Sequence, residues 1–181
     1  MKSDHPNTII RLARQEDAPE IADVHIMSWQ ETYRGLISDD YLSQLPMTIQ
    51  NRTKTWAKLI AEKKPGQEYW VVEGKRHRIV GFAATTPARD EKFSGAGELS
   101  SIYLLKHYQR QGIGYALLIK ALRHLKSCNF TSSYCWVLKD NPTIDFYLKT
   151  GGRLSGDSKV DERPTVRLNE LAIVWDDLSL F

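Results

Sequence analysis

The chain has little cysteine, only Cys128 and Cys135 in 181 residues. A small secreted domain held by disulfides carries more, and this pair lacks a metal-ligand spacing, so both are read as reduced thiols. No apolar run approaches the roughly 18 residues that span a bilayer. The opening MKSDHPNTIIRLARQED lacks the apolar core of a signal peptide, and the cytoplasm is the expected compartment. The formal net charge is only +3, without the dense basic face of a nucleic-acid binder. Neither a nucleic acid nor a membrane is expected as a partner. The histidines His5, His25, His77, His107 and His124 show no paired ligand spacing, and no metal is expected. No Ser-His-Asp or Cys-His set is readable. Internal repeats, low-complexity tracts and long linkers are lacking too, so residues 1–181 are read as one domain.

What is present is ordinary globular material. With 41% hydrophobic and 26% charged residues, the chain has enough apolar surface for a core flanked by two layers. Thr8 to Ala13 reads as a strand. Asp17, three residues before Glu20, resembles a capping box opening a helix to about Met27, with Ile21, Val24 and His25 on its buried face. A second helical region runs from about Ser38 to Glu62, broken near Pro46. Three strands follow, Glu68 to Glu73, Ile79 to Thr86 and Gly97 to Leu104. A helix from Gly112 to Lys126 carries an apolar stripe of Leu118, Ala121, Leu122 and Leu125. Then come a strand at Ser133 to Leu138 and a short helix at Pro142 to Lys149, with Asn141 as its N-cap. Strands at about Arg153 to Ser158 and Thr165 to Trp175 close the chain. This order implies an α+β domain with a mixed sheet and helices on both faces.

The segment from Glu98 to Leu118 is the most informative. A strand leads through QRQGIG into a helix at a Gly-x-Gly step. Helix N-termini carry backbone N–H groups without intrahelical partners and a partial positive charge. Glycines at 112 and 114 let a ligand approach the backbone, which makes a site for phosphate or pyrophosphate, with Lys106, Arg110 and Lys120 nearby. A dinucleotide fold wants a third glycine where Leu117 stands, and a P-loop wants Gly-Lys-Ser/Thr where Gly114-Tyr115-Ala116 stands. A helix start with glycines chosen only for close packing is the bland alternative.

Gln109-Arg110-Gln111-Gly112-Ile113-Gly114 resembles the Q/R-x-x-G-x-G/A signature of the GNAT family of N-acetyltransferases. The downstream DNPTIDFYLKTGG, beginning at Asp140, is similar to that family's segment with an Asn, a Phe-Tyr pair and a glycine. The element order matches over nearly the whole chain. The resemblance implies a mixed, largely antiparallel sheet, acetyl-CoA as cosubstrate, an amine as acceptor, and a homodimer by family habit only. It also assigns roles. Gln109, Arg110 and the amides from Gln111 through Gly112 and Ile113 to Gly114 would hold the pyrophosphate, with Tyr115 and Ala116 continuing the helix beside it. The main chain at Ile102 and Leu104, with Tyr103 between them, would pair with the pantetheine arm as an added strand. Asn141 would contact the arm from the other side, either as well as or instead of capping its helix.

Acetyl transfer to an amine needs the amine to lose a proton, the oxyanion to be stabilised and the departing thiolate to be protonated. By resemblance Tyr147 takes the acid's place, unless it is an aromatic packed on the sheet. An unperturbed tyrosine, with a pKa of about 10, suits the task. Glu98 is the candidate base, with Ser100 a weaker one and water the alternative. Strand alternation sets Glu98, Ser100, Ile102 and Leu104 on one face. The acceptor is expected near Ser28 to Leu36, where Trp29 and Tyr33 are pocket walls or core anchors. That stretch weakly resembles acetyltransferases of small amines, polyamines included. Asp39, Asp40, Asp90 and Glu91 either attract a cation or are ordinary loop charges.

Overall fold

The computed structural model describes residues 8–181, so His5 lies outside the described residues. Seven strands form one sheet: β1 Ile9–Leu12, β2 Glu68–Glu73, β3 Ile79–Pro87, β4 Gly97–Leu104, β5 Ser133–Leu138, β6 Arg153–Arg163 and β7 Val166–Trp175. Their order across the sheet is β1-β2-β3-β4-β5-β7-β6. All neighbours run antiparallel except β4 and β5. The helices are α1 Ala18–Thr32, α2 Asp39–Gln44, α3 Ile49–Ala61, α4 Ile113–Ser127 and α5 Ile144–Lys149. The mixed sheet with helices on both faces is the expected architecture.

Two apolar layers hold the helices to the sheet. On one face α4 buries Ile113, Leu117, Leu118, Ala121, Leu122 and Leu125 against Val72, Ala83 and Leu99. Each fully buried leucine contributes roughly 1.5–3 kcal/mol, so this face anchors α4 and hence the turn that opens it. The close approach is possible because Gly97 has no side chain: a Cβ there would lie 2.7 Å from a Leu125 methyl. On the other face α1 and α3 pack Ile21, Val24 and Trp56 against Val71 and Phe82.

Several local expectations are corrected. Asp17 stands at the N-cap position of α1 but gives that helix no side-chain cap bond, and instead braces the 3-10 turn Gln15–Asp17 before it. Its carboxylate accepts from the Arg14 amide at 2.7 Å and from Arg11 at 2.7 and 2.9 Å, while Glu20 reaches across to Arg78 and the Ile79 amide. The helix also continues five residues past Met27, because Ser28 and Trp29 extend its buried face. Asn141 is not the N-cap of α5. Its Oδ1 accepts from the Thr143 amide at 2.9 Å, closing a turn before the helix begins at Ile144. Finally β6 runs to Arg163 rather than ending near Ser158, because register pairing with β7 resumes there after an irregularity around Gly156, whose φ is +94°. Among the described residues, no helix is long and apolar enough to cross a membrane.

Candidate active site

The site begins where β4 and β5 part. They pair only at Gly97 with Ser133 and at Glu98 with Tyr134, whereas β4 pairs with β3 as far as Leu104. Beyond Glu98 one edge of β4 has no strand beside it, and unpaired backbone groups seek an added strand or a ligand. Ile102 and Leu104 lie along this open stretch. Their side chains, with Ile113, Phe146 and Tyr147, join the apolar cluster under α4.

At the end of β4 the chain makes one 3-10 turn, Lys106–Tyr108, and then the glycine-rich loop. Two nearby residues take left-handed conformations, Arg110 at φ +60° and Gly112 at φ +78°. A non-glycine residue there is uncommon, and such alternation turns successive amides towards one concavity, an anion-binding arrangement. The first backbone bond of α4 runs from the Ala116 amide to the Gly112 carbonyl at 3.0 Å, leaving the amides of Ile113, Gly114 and Tyr115 without intrahelical acceptors. No side chain caps this helix. A Cβ built on Gly112 would meet no protein atom within 4 Å, so the space above the turn is open. Gln109 and Gln111 are engaged elsewhere: their amide nitrogens donate to the carbonyls of Leu104 at the end of β4, at 2.8 Å, and of His107, at 2.9 Å, bracing the turn. Lys120 and Arg123 border a cleft beside it with Tyr115 and Ala116.

Tyr147 is 8% exposed, its ring edge-on to Trp175 with centroids 5.9 Å apart. Burial, with smaller contributions from Cys135 and Tyr103, pushes its hydroxyl well above the ordinary tyrosine value. The unperturbed tyrosine expected from sequence is therefore corrected to a firmly protonated one. Asn141 is buried at the head of the same segment.

Glu98 is not where alternation puts it. The β3–β4 register slips between Ala84 and Thr85, so that Thr85 pairs with Leu99 and Ala84 with Ser101, and Ser100 is the extra residue of a bulge. Leu99 and Ile102 consequently point together under α4, and Glu98 shares the opposite face with Tyr134. There Arg89 donates to both carboxylate oxygens, at 3.0 and 2.5 Å, and Tyr134 donates at 2.8 Å. Burial alone would raise the carboxyl, but the Arg89 bonds and charge, with Tyr134, outweigh it and hold Glu98 below the usual carboxylate range. A carboxylate so occupied is a poor proton acceptor. A depressed carboxyl contributes stability that is complete above its ordinary value of 4.5 and is lost as pH falls below it. Glu98→Gln should thus cost about 1–2 kcal/mol at neutral pH, a gap that closes in acid. Urea midpoints measured at both pH values test this. A gap unchanged in acid would mean that the ion pair is not its source.

Trp29 and Tyr33 are 7% and 8% exposed and pack with Ile26, Ile37, Leu42 and Leu168. The Trp29 indole donates to the Tyr103 hydroxyl at 3.0 Å, which turns the Tyr103 side chain away from the α4 face. Cys128 and Cys135 are free thiols, and burial raises that of Cys135. Among the described residues no group of three or more metal-ligating side chains comes together.

Comparison with known proteins decides the family. The model described as the acetyltransferase (GNAT) family matches residues 10–152. The chain belongs to the GNAT family of acetyltransferases. It is 35% identical over 170 residues to an uncharacterized N-acetyltransferase, YuaI, of Bacillus subtilis, covering 94% of each chain. In fold it is similar to the PaiA N-acetyltransferase of Thermoplasma acidophilum, crystallised with coenzyme A (TM-score 0.71, 19% identity, covering 93% of this chain and 98% of that one). An N-acetyltransferase of Staphylococcus aureus is as close, with TM-score 0.70, 20% identity, and 95% and 99% covered. GNAT membership makes the chain an acyltransferase. What its sequence conceals is the bulge at Ser100 and the ion pair to Arg89, since neither strand alternation nor spacing signals them.

Proposed function

We propose that this acetyltransferase transfers acetyl from acetyl-CoA to a primary amine by direct attack, with Tyr147 as general acid. The observation that carries the reading is one apolar cluster that joins Ile102 and Leu104 on the open edge of β4, Ile113 of the glycine turn and Tyr147. The residues fit the cosubstrate: the amides of the turn suit a pyrophosphate, Gly112 leaves room for it, and the open edge at Ile102 to Leu104 suits the pantetheine amides. Bound there, acetyl-CoA supplies a thioester whose carbonyl carbon the amine attacks.

The chain's own groups then manage protons. The amine loses its proton to solvent, since Glu98 is committed to Arg89 and Tyr134. As the C–S bond breaks, the Tyr147 hydroxyl protonates the sulfur and is reprotonated from solvent. Burial that raises the tyrosine raises a thiol held beside it as well, so the transfer is not penalised by it. The pH–rate profile should keep its shape in Glu98→Gln.

The test is acetyl-CoA with a panel of amines, reading free thiol and acetylated amine together. Equal amounts of both products support the reading. Tight acetyl-CoA binding with no product from any amine overturns it and leaves a non-catalytic acyl-CoA-binding module.

A further inference from the structure

On the face opposite α4 lies a cleft of about 510 Å³, floored by Ser100 and Ser101 at the β4 bulge and walled by α3. Its floor at Ser100 and Ser101 adjoins the stretch of β4 just past the last β4–β5 pair, Glu98 with Tyr134, the side from which an amine would reach the thioester. Its charge is one-sided. No aspartate or glutamate lines it, but Arg52, Arg89 and His25 do.

These three groups are not equivalent. Arg89 is neutralised by Glu98. His25 sits among Phe82 and Tyr103, with ring centroids 5.5 and 5.1 Å away, and burial, with the charges of Arg52 and Arg163, pushes it down to about 3. It is therefore neutral at physiological pH and accepts from Arg52 Nη1 at a ring nitrogen, with Nδ1 at 3.1 Å and Nε2 at 3.3 Å. The other partner of Arg52 is the Thr48 hydroxyl, which accepts from Nε at 2.8 Å. Among the described residues, no carboxylate stands within 4.0 Å of this guanidinium, and the neighbouring Arg163 has its own partner in Asp161 at 2.8 Å. A half-buried guanidinium held by two neutral acceptors keeps its full charge and a free Nη2 edge, the geometry that receives an oxyanion.

Resting on the acetyl-transfer reading above, we infer that the acceptor is an amine that also carries an anionic group, bound in this cleft by Arg52. Amino acids and aminoalkylphosphonates have this chemistry. Polyamines do not, and a second ammonium would meet Arg52 with like charge. The acidic loop residues Asp39, Asp40, Asp90 and Glu91 do not line the cleft. They offer no counter-charge there.

The experiment compares matched series: amino acids, aminoalkylphosphonates, their neutral amine counterparts and polyamines. The anionic amines should be acetylated with kcat/KM roughly 10- to 100-fold above their neutral counterparts, the worth of one charged hydrogen-bonded contact. The carboxylate and phosphonate arms show which anion is preferred. Arg52→Gln should raise KM for the anionic amines by a similar factor, with kcat, the neutral amines and acetyl-CoA affinity unchanged, and Arg52→Lys should recover part of it. Thermal melting checks that both variants fold. Turnover of neutral amines or polyamines as good as that of the anionic ones overturns this inference and leaves acetyl transfer standing. So does equal loss of all substrates in a folded Arg52→Gln. Failure of every amine in the panel overturns both.

Discussion

Tyr147→Phe should lower turnover roughly 10²- to 10⁴-fold while acetyl-CoA affinity stays unchanged, the range typical of a lost general acid. The substitution keeps the ring that packs edge-on to Trp175 and removes only a hydroxyl for which no hydrogen-bonding partner exists among the described residues. No buried partner is orphaned, so the melting temperature should change little. The loss should fall on kcat, because the hydroxyl meets the sulfur as it departs. It should shrink with an acyl donor whose thiol leaves as a weaker base. Loss of binding together with turnover would make Tyr147 a structural aromatic. Full turnover in the variant, with chemistry shown to limit the rate, would remove the role.

Gly112→Val should weaken coenzyme A binding by at least about 100-fold, since two or more charge-assisted amide contacts are lost, each worth about 1.5–3 kcal/mol. Gly112 has φ +78°, and its Cβ would project into the open space above the turn, where the pyrophosphate is proposed to sit. The left-handed backbone itself adds about 1–2 kcal/mol of strain for a side chain, so the loop can also shift its amides out of line. Gly114→Ala is the control. Its Cβ would lie 4.0 Å from Phe146 Cζ, an ordinary contact, and it should retain most of the affinity. Calorimetry on the folded variants reads both. Normal binding by Gly112→Val would move the pyrophosphate away from this turn.

The legible parts of the chain were those governed by local chemistry. Gly112 and Gly114 at a helix start carry their own reason, and the stripe of Leu118, Ala121, Leu122 and Leu125 announces the face on which α4 packs. The cleft was illegible because it depends on a one-residue slip. Ser100 adds a residue to β4, and everything before it changes face, which sends Glu98 to Arg89 and Tyr134 instead of beside Ile102. No spacing in a single strand reveals a bulge that exists only in its pairing with β3. Arg52 was equally hidden. On α3 it reads as one more exposed cation, and only the packing of α1 brings His25 against it and dries it. Asn141 shows a third limit. An Asn before a Pro marks a chain reversal, but the amide it receives, that of Thr143, belongs to the turn and not to the helix.

The most direct single measurement is a crystal structure of the protein with coenzyme A. The pyrophosphate should accept hydrogen bonds from the amides between Gln111 and Gly114, the pantetheine should lie along the open edge of β4 from Ile102 to Leu104, and the sulfur should stand within hydrogen-bonding reach of the Tyr147 hydroxyl. A pyrophosphate bound away from the turn, or a sulfur remote from Tyr147, would contradict it.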